Sequence, residues 1–312
     1  MLDAWFTNPF TEPDFWSVVL QLLFLFVASL VVTVLLNIQD IRNVFRSKIW
    51  NHFLYWQLAI VPFLLTPYFG LFVFLAVLTY LIVRSIDLFC SFLHVPFFYV
   101  QVIRLNALIS LSVVLLFPTY VSLLPFIYFI SCIIFALMNR QLESVMINLS
   151  LALLGSIWIV YSTMHFILIS YLLEGLQKLI ILGVAVAASD FCAYVLSLIY
   201  QNRFAALRAE RDNLFDKKMM LLSLGGNIIG AFIGVYLLHF IEPDLPLEEE
   251  WILSILVGIS AFLGKALFDM MRRYVEMKDF IYFSAKPSGV LDRMSLFLIA
   301  AVVCYQYLLI FT

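Results

Sequence analysis

The sequence predicts an all-α integral membrane protein, a polytopic bundle of about ten transmembrane helices, and three observations carry that prediction. The 312 residues are 64% hydrophobic and only 12% charged, with a mean hydropathy of +1.06. A water-soluble domain is about half apolar and about a quarter charged. The apolar residues also form long unbroken runs of about twenty, enough to cross about 30 Å of hydrocarbon as a helix. Membrane barrels show alternating segments of about ten residues instead, so helices are how this backbone satisfies its polar groups in lipid. Finally, Lys and Arg segregate to alternate loops, as membrane orientation requires.

With Pro and Gly as punctuation, the spans fall at 15–37, 53–67, 69–84, 104–117, 119–138, 146–172, 176–200, 219–241, 250–271 and 294–311. The first follows a stretch, Met1 to Asp14, without the basic start and cleavage pattern of a secretory signal, so it is expected to remain a span. The second to fourth are short, and Pro62, Pro67, Pro96 and Pro118 predict bent or partly re-entrant segments among them. The seventh carries Asp190. The eighth carries Gly225, Gly226, Gly230 and Gly234, the last three at the spacing of a small-residue packing stripe. The ninth carries Lys265 and, one turn on, Asp269. The tenth follows the segment Lys286-Pro-Ser-Gly-Val-Leu-Asp-Arg293.

If these spans alternate, Arg42, Arg46 and Lys48, then Arg84 and Arg104, Arg140, Arg203 to Lys218, and Arg272 to Arg293 all face the cytoplasm. Asp3, Glu12, Asp14, Glu174 and the cluster Glu242 to Glu250 lie opposite, so both termini are expected on the non-cytoplasmic side. Lys178 alone sits near the wrong face. The tryptophans mostly stand near span ends, as interfacial anchors do, and most of the 31 phenylalanines read as lipid-facing or packed bulk.

Net charge is −2, with no basic surface to suggest nucleic acid as a partner. Cys90, Cys132, Cys192 and Cys304 form no CxxC pair and read as small core residues. His52, His94, His165 and His239 are scattered, so no zinc site is visible. Without a linker, low-complexity tract or internal period, residues 1–312 read as a single membrane domain. Ionisable groups within spans are expensive unless paired, which makes Asp190, Lys265 and Asp269 functional candidates. A Lys265–Asp269 pair at i,i+4 is the structural alternative.

Past Asp269 the order and spacing of charged residues resemble the phosphatidate cytidylyltransferase (CDP-diacylglycerol synthase) family. Arg272-Arg273, Lys278-Asp279 and Gly289-Val290-Leu291-Asp292-Arg293 fall without a gap at the spacing of that family's C-terminal signature. Asp190-Phe-Cys-Ala-Tyr194 resembles its Asp-x-x-Ala-Tyr element, and Lys217-Lys218 followed by Gly225-Gly226 resembles its Lys-Lys segment and glycine pair. On this likeness 173–312 is the part bearing the motifs, and 1–172 holds divergent N-terminal helices. Other positions depart: Lys265 stands in place of an intramembrane Asp after Gly264, Ser295 in place of the second Asp of Asp-Arg-x-Asp, Ala285-Lys286-Pro287-Ser288 in place of Pro-Gly-His-Gly, Phe215 and Asp216 in place of Ser-Pro, and Met219 to Leu222 in place of Thr-Trp-Glu-Gly.

The resemblance implies a phospholipid-metabolism transferase of the bacterial inner membrane that joins CTP to a lipid phosphate, giving a CDP-lipid and pyrophosphate. Asp190, Lys265 and Asp292 would be catalytic. Lys217, Lys218, Arg272, Arg273, Lys278 and Arg293 would hold phosphates, and Asp292 with Asp190 would ligate Mg²⁺. An ammonium at 265 repels a divalent ion, so the metal site is expected to be changed, with Lys265 itself contacting phosphate or with transfer chemistry lost. The competing class is a catalytically inactive lipid-binding or scaffolding protein, partnered by a second copy or another membrane protein. A transporter using Asp190 and Lys265 as a relay is a third class, without the inverted repeat that would favour it.

Overall fold

The computed structural model describes residues 6–11, 15–36, 50, 53–54, 63–138, 145–203, 217–237, 247–278 and 289–311. Ten α-helices run in order: α1 Phe15–Leu36, α2 Leu71–Phe92, α3 Phe97–Leu116, α4 Leu124–Met138, α5 Val145–Gly155, α6 Ser162–Ser170, α7 Gly175–Arg203, α8 Lys217–Leu237, α9 Leu247–Lys278 and α10 Gly289–Phe311. A π-helical turn, Ser156–Tyr161, joins α5 to α6. No strand occurs among the described residues. Nine stretches of these residues are helical, long and apolar enough to cross a membrane, and the chain is an integral membrane protein of the all-α polytopic class. The expected span 53–67 lies largely outside the described residues, as do Arg42, Arg46, Lys48, Arg140, Asp3, Glu12, Asp14, Glu242, His52, His239, Asp279 and most of Arg203 to Lys218.

Several expected boundaries move: α9 runs to Lys278 where 271 was expected, α10 begins at Gly289 where 294 was expected, and two more shifts meet at one turn. α2 continues to Phe92 where 84 was expected, and α3 begins at Phe97 where 104 was expected. Arg84 and Arg104 are therefore helical residues. Arg104 Nη2 donates to Asp87 Oδ1 at 2.7 Å, so each charge has an opposite partner and the helices run past the point where a hydropathy reading stops. The turn between them is tight. Val95 N–H bonds Cys90 O at 2.9 Å across a left-handed His94 (φ 53°), a helix stop usually made with glycine.

The chain divides into two compact units, Met1–Leu75 with Leu176–Phe262, and Ala76–Gly175 with Leu263–Thr312. In the first unit, α8 lies against α7 through the expected glycine stripe. A Cβ on Gly226 would stand 2.6 Å from Ala193 Cα, one on Gly234 2.6 Å from Ala185 Cα, and one on Gly230 would overlap the Ala188 carbonyl. Gly225 faces open space. Gly258 of α9 repeats the contact against Ile228 of α8, 2.7 Å from its Cα. The stripe is thus backbone packing, as small residues permit in lipid. Ser189 Oγ ties the same helices together by donating to Asn227 O and Oδ1 at 2.9 and 2.8 Å.

In the second unit, Phe166 of α6 meets Phe297 of α10, and His165 packs edge-on between Tyr161 and Tyr305, a packed histidine as expected. A polar knot sits beside the π-turn: Asn106 Nδ2 donates to Ser156 Oγ at 2.9 Å, and Ser131 Oγ donates to Asn106 Oδ1 at 2.8 Å. Such bonds hold helices together where lipid supplies no hydrophobic drive. Cys90, Cys132 and Cys304 are buried, as small core residues should be.

Candidate functional site

The charged end of the second unit is built on the meeting of α9 with the start of α10. Gly264 makes it possible, because a Cβ there would run into the carbonyl oxygen of Ser295 and lie 3.0 Å from its carbon. Backbone therefore touches backbone. This contact sets the next residue, Lys265, level with the first turn of α10, where Lys265 Nζ donates to Asp292 Oδ1 at 2.8 Å. The two side chains keep 25% and 17% of their exposure. The ion pair joins two helices, and Asp269, the i,i+4 partner that the sequence offered, interacts electrostatically with the same Lys265.

Around it the remaining groups take distinct roles. Ser295 is buried, and its Oγ donates to the Asp292 carbonyl at 2.7 Å, so its hydroxyl is spent on its own helix. Asp292 stands in the first turn of α10, where the helix dipole favours a carboxylate. Asp269, one turn beyond Lys265, interacts electrostatically with Lys265, Asp292, Arg272 and Arg273. Arg272 is exposed, and Arg273 and Arg293 are half-buried. Asp269 and Asp292 thus share a neighbourhood with Lys265, Arg272 and Arg273.

The other expected site residues are placed as follows. Asp190 is a buried residue of α7 in the first unit, beside the Ser189–Asn227 bonds. Lys217 and Lys218 open α8, and Lys278 closes α9. The geometry therefore joins Lys265 to Asp292 and gathers Asp269, Arg272 and Arg273 about them.

This donor set does not fit a paired-metal centre at Asp292. The carboxylate already answers an ammonium, and a divalent ion there would sit against a like charge. Among the described residues no three His, Cys, Asp or Glu side chains converge to hold a metal. What the arrangement supplies is hydrogen-bond donors and positive charge, suited to phosphate oxygens.

Two polar features of the second unit escaped the sequence reading. The Asp87–Arg104 pair lies 17 residues apart across a proline turn, beyond any local pattern. Asn106 and Ser110 gave a signal, two polar residues one turn apart in an apolar run, but no single-helix periodicity reveals that Ser156 and Ser131 answer Asn106. Set against protein-family models, curated proteins and solved structures, the chain matches none of them.

Proposed function

We propose that this is a membrane protein of phospholipid metabolism that binds a lipid phosphate at the charged end of its second unit, through Lys265, Arg272, Arg273 and Arg293. The single observation that carries the reading is the 2.8 Å contact of Lys265 with Asp292. It commits Asp292, one of the two carboxylates that the family resemblance would make metal ligands, to an ammonium, and Arg272 and Arg273 stand about the same carboxylate cluster. A phosphate monoester carries up to two negative charges, and arginine forks bind it bidentately. On the same reading the charged end faces the cytoplasm, the membrane is the bacterial inner membrane, and a second copy or another membrane protein is a natural partner for a binding role.

A second reading is favoured by the ungapped spacing of Arg272-Arg273, Lys278-Asp279 and Gly289 to Arg293. Here the chain transfers a cytidylyl group. A lipid phosphate oxygen attacks the α-phosphorus of CTP, the bond to the β-phosphate breaks, and pyrophosphate leaves. Lys265 then carries charge stabilisation on the phosphoryl oxygens. Mg²⁺ would arrive with the nucleotide, since the protein donors do not fit it.

The test uses purified protein in mild detergent. Phosphatidate is expected to raise Tm where phosphatidylcholine does not, since only a ligand of the folded state stabilises it. The gain is expected to disappear in an Arg272→Gln, Arg273→Gln variant. An equal response to both lipids removes the binding reading. Pyrophosphate release on adding CTP, Mg²⁺ and phosphatidate establishes the second reading over the first, and a flat result across nucleotides and lipid phosphates eliminates it.

A further inference from the structure

Within the second unit a seam of buried polar groups lacks protein partners. Gly155, the last residue before the π-turn, has no Cβ, and Phe89 of α2 and Ile103 of α3 close into that space, where an added Cβ would meet them at 2.9 and 3.0 Å. Three side chains lie about one turn from this point. Ser85 precedes Phe89 by four residues, Tyr99 precedes Ile103 by four, and the Trp158 ring stands 6.3 Å from that of Phe89. Ser85 and Tyr99 are 0% exposed and Trp158 is 4% exposed. Ser85 Oγ, Tyr99 Oη and Trp158 Nε1 are nonetheless without a hydrogen-bond partner among the described residues, and Arg104 Nε on the next turn of α3 shares that condition.

Orphaned donors inside a membrane bundle are costly, and buried polar atoms in such numbers are normally satisfied by water. The seam has somewhere to draw it from. A cleft of about 520 Å³ opens at the α2–α3 turn, lined by Asp87, Cys90, Ser91, His94, Val95, Phe97 and Val100. Cys90 and Val100 are the chain neighbours of Phe89 and Tyr99, so the cleft adjoins the seam at its polar end. At the far end the Asn106–Ser156 bond begins one residue beyond Gly155. The π-turn leaves backbone spacing irregular at this place, as π-bulges commonly do at functional sites.

We infer that the second unit contains a hydrated vestibule, entered from the cleft at the α2–α3 turn and ending at Asn106 and Ser156, whose ligand is water hydrogen-bonded to Ser85, Tyr99 and Trp158. A water file reaching an asparagine within a membrane span is a path for small polar solutes or protons to the middle of the unit. It does not depend on what the Lys265–Asp292 pair binds.

Cysteine accessibility tests it. The four native cysteines are replaced by alanine, and Ser85→Cys or Val83→Cys is introduced into protein reconstituted in nanodiscs. Val83 lies two residues away on α2 with 41% exposure and serves as the lipid-side control. A charged, membrane-impermeant methanethiosulfonate is expected to label position 85 at least about tenfold faster than position 83, because such a reagent needs water and a thiolate at the site. Labelling at 85 as slow as at 83 overturns the vestibule. Should the cysteine variants fail to fold, Tyr99→Phe decides. A dry orphan hydroxyl is better removed, so a raised Tm overturns the inference, and a Tm that does not rise supports it.

Discussion

Removing the ammonium of Lys265 while keeping its bulk, as Lys265→Met, leaves the Asp292 carboxylate partly buried against α9 without its partner. Two unit charges about 4 Å apart attract by about 4 kcal/mol at an effective dielectric of about 20. With 25% and 17% exposure remaining, water screens part of this and desolvation takes back more, so the net coupling is placed at about 2 kcal/mol. The double-mutant cycle isolates it. Lys265→Met and Asp292→Asn are each expected to lower stability by about 2 to 3 kcal/mol, and the double variant by less than the sum, short by about 2 kcal/mol. Thermal unfolding followed by tryptophan fluorescence reads this as Tm losses on the order of 4 °C or more for each single variant. If the double variant loses the full sum of the two single losses, the side chains do not interact, and the site as described here is wrong.

Gly230→Leu drives a side chain into the Ala188 carbonyl and is expected to abolish folding or cost more than about 3 kcal/mol, while Gly225→Ala, in open space, is expected to gain up to about 1 kcal/mol of helix propensity. Yield and Tm of the two variants compare them directly. Gly264→Ala forces α9 from α10 at Ser295, and its signature is loss of the Lys265–Asp292 coupling energy when the cycle is repeated in that background. Asn106→Leu takes the donor from Ser156 Oγ and one acceptor from Ser131, which keeps its bond to Tyr128 O, and is expected to cost about 1 to 2 kcal/mol, read as a lower Tm in the same detergent. Ser295→Asp buries a second carboxylate beside Asp292 and is expected to destabilise strongly. Joined to Lys265→Asp it makes four clustered carboxylates with Asp269 and Asp292, and the Tm of that variant should rise with added Mg²⁺ where that of the parent protein does not.

Composition alone carried the fold class, because hydrocarbon leaves a backbone so few ways to satisfy its polar groups that apolar run length is nearly sufficient. The glycine stripe at 226, 230 and 234 was legible for a related reason, since a period of four marks one face of a helix and close packing in lipid needs that face small. The ends of α2 and α3 were not legible. Arg84 and Arg104 read as loop residues until Asp87 is known to stand opposite Arg104, and that is a tertiary fact. The same holds at the site. The sequence offered Asp269 as a partner of Lys265 because it is one turn away, and the two do interact, but Asp292 also reaches Lys265 because Gly264 lets two backbones touch, which no local pattern reveals.

The ion pair ties stability to function in a way neither residue does alone. Lys265 inside an apolar helix needs an anion, and Asp292 supplies it; Asp292 beside a cluster of arginines needs no metal once an ammonium is at 2.8 Å. A site of this kind cannot return to metal ligation by one substitution, because changing either member strands the other charge. Lys265→Asp by itself sets two carboxylates together at the Gly264 contact, the costliest arrangement available until a divalent ion enters. On the proposed reading, the structure that stabilises the α9–α10 contact is therefore the same one that would let this end of the molecule hold phosphate with protein cations.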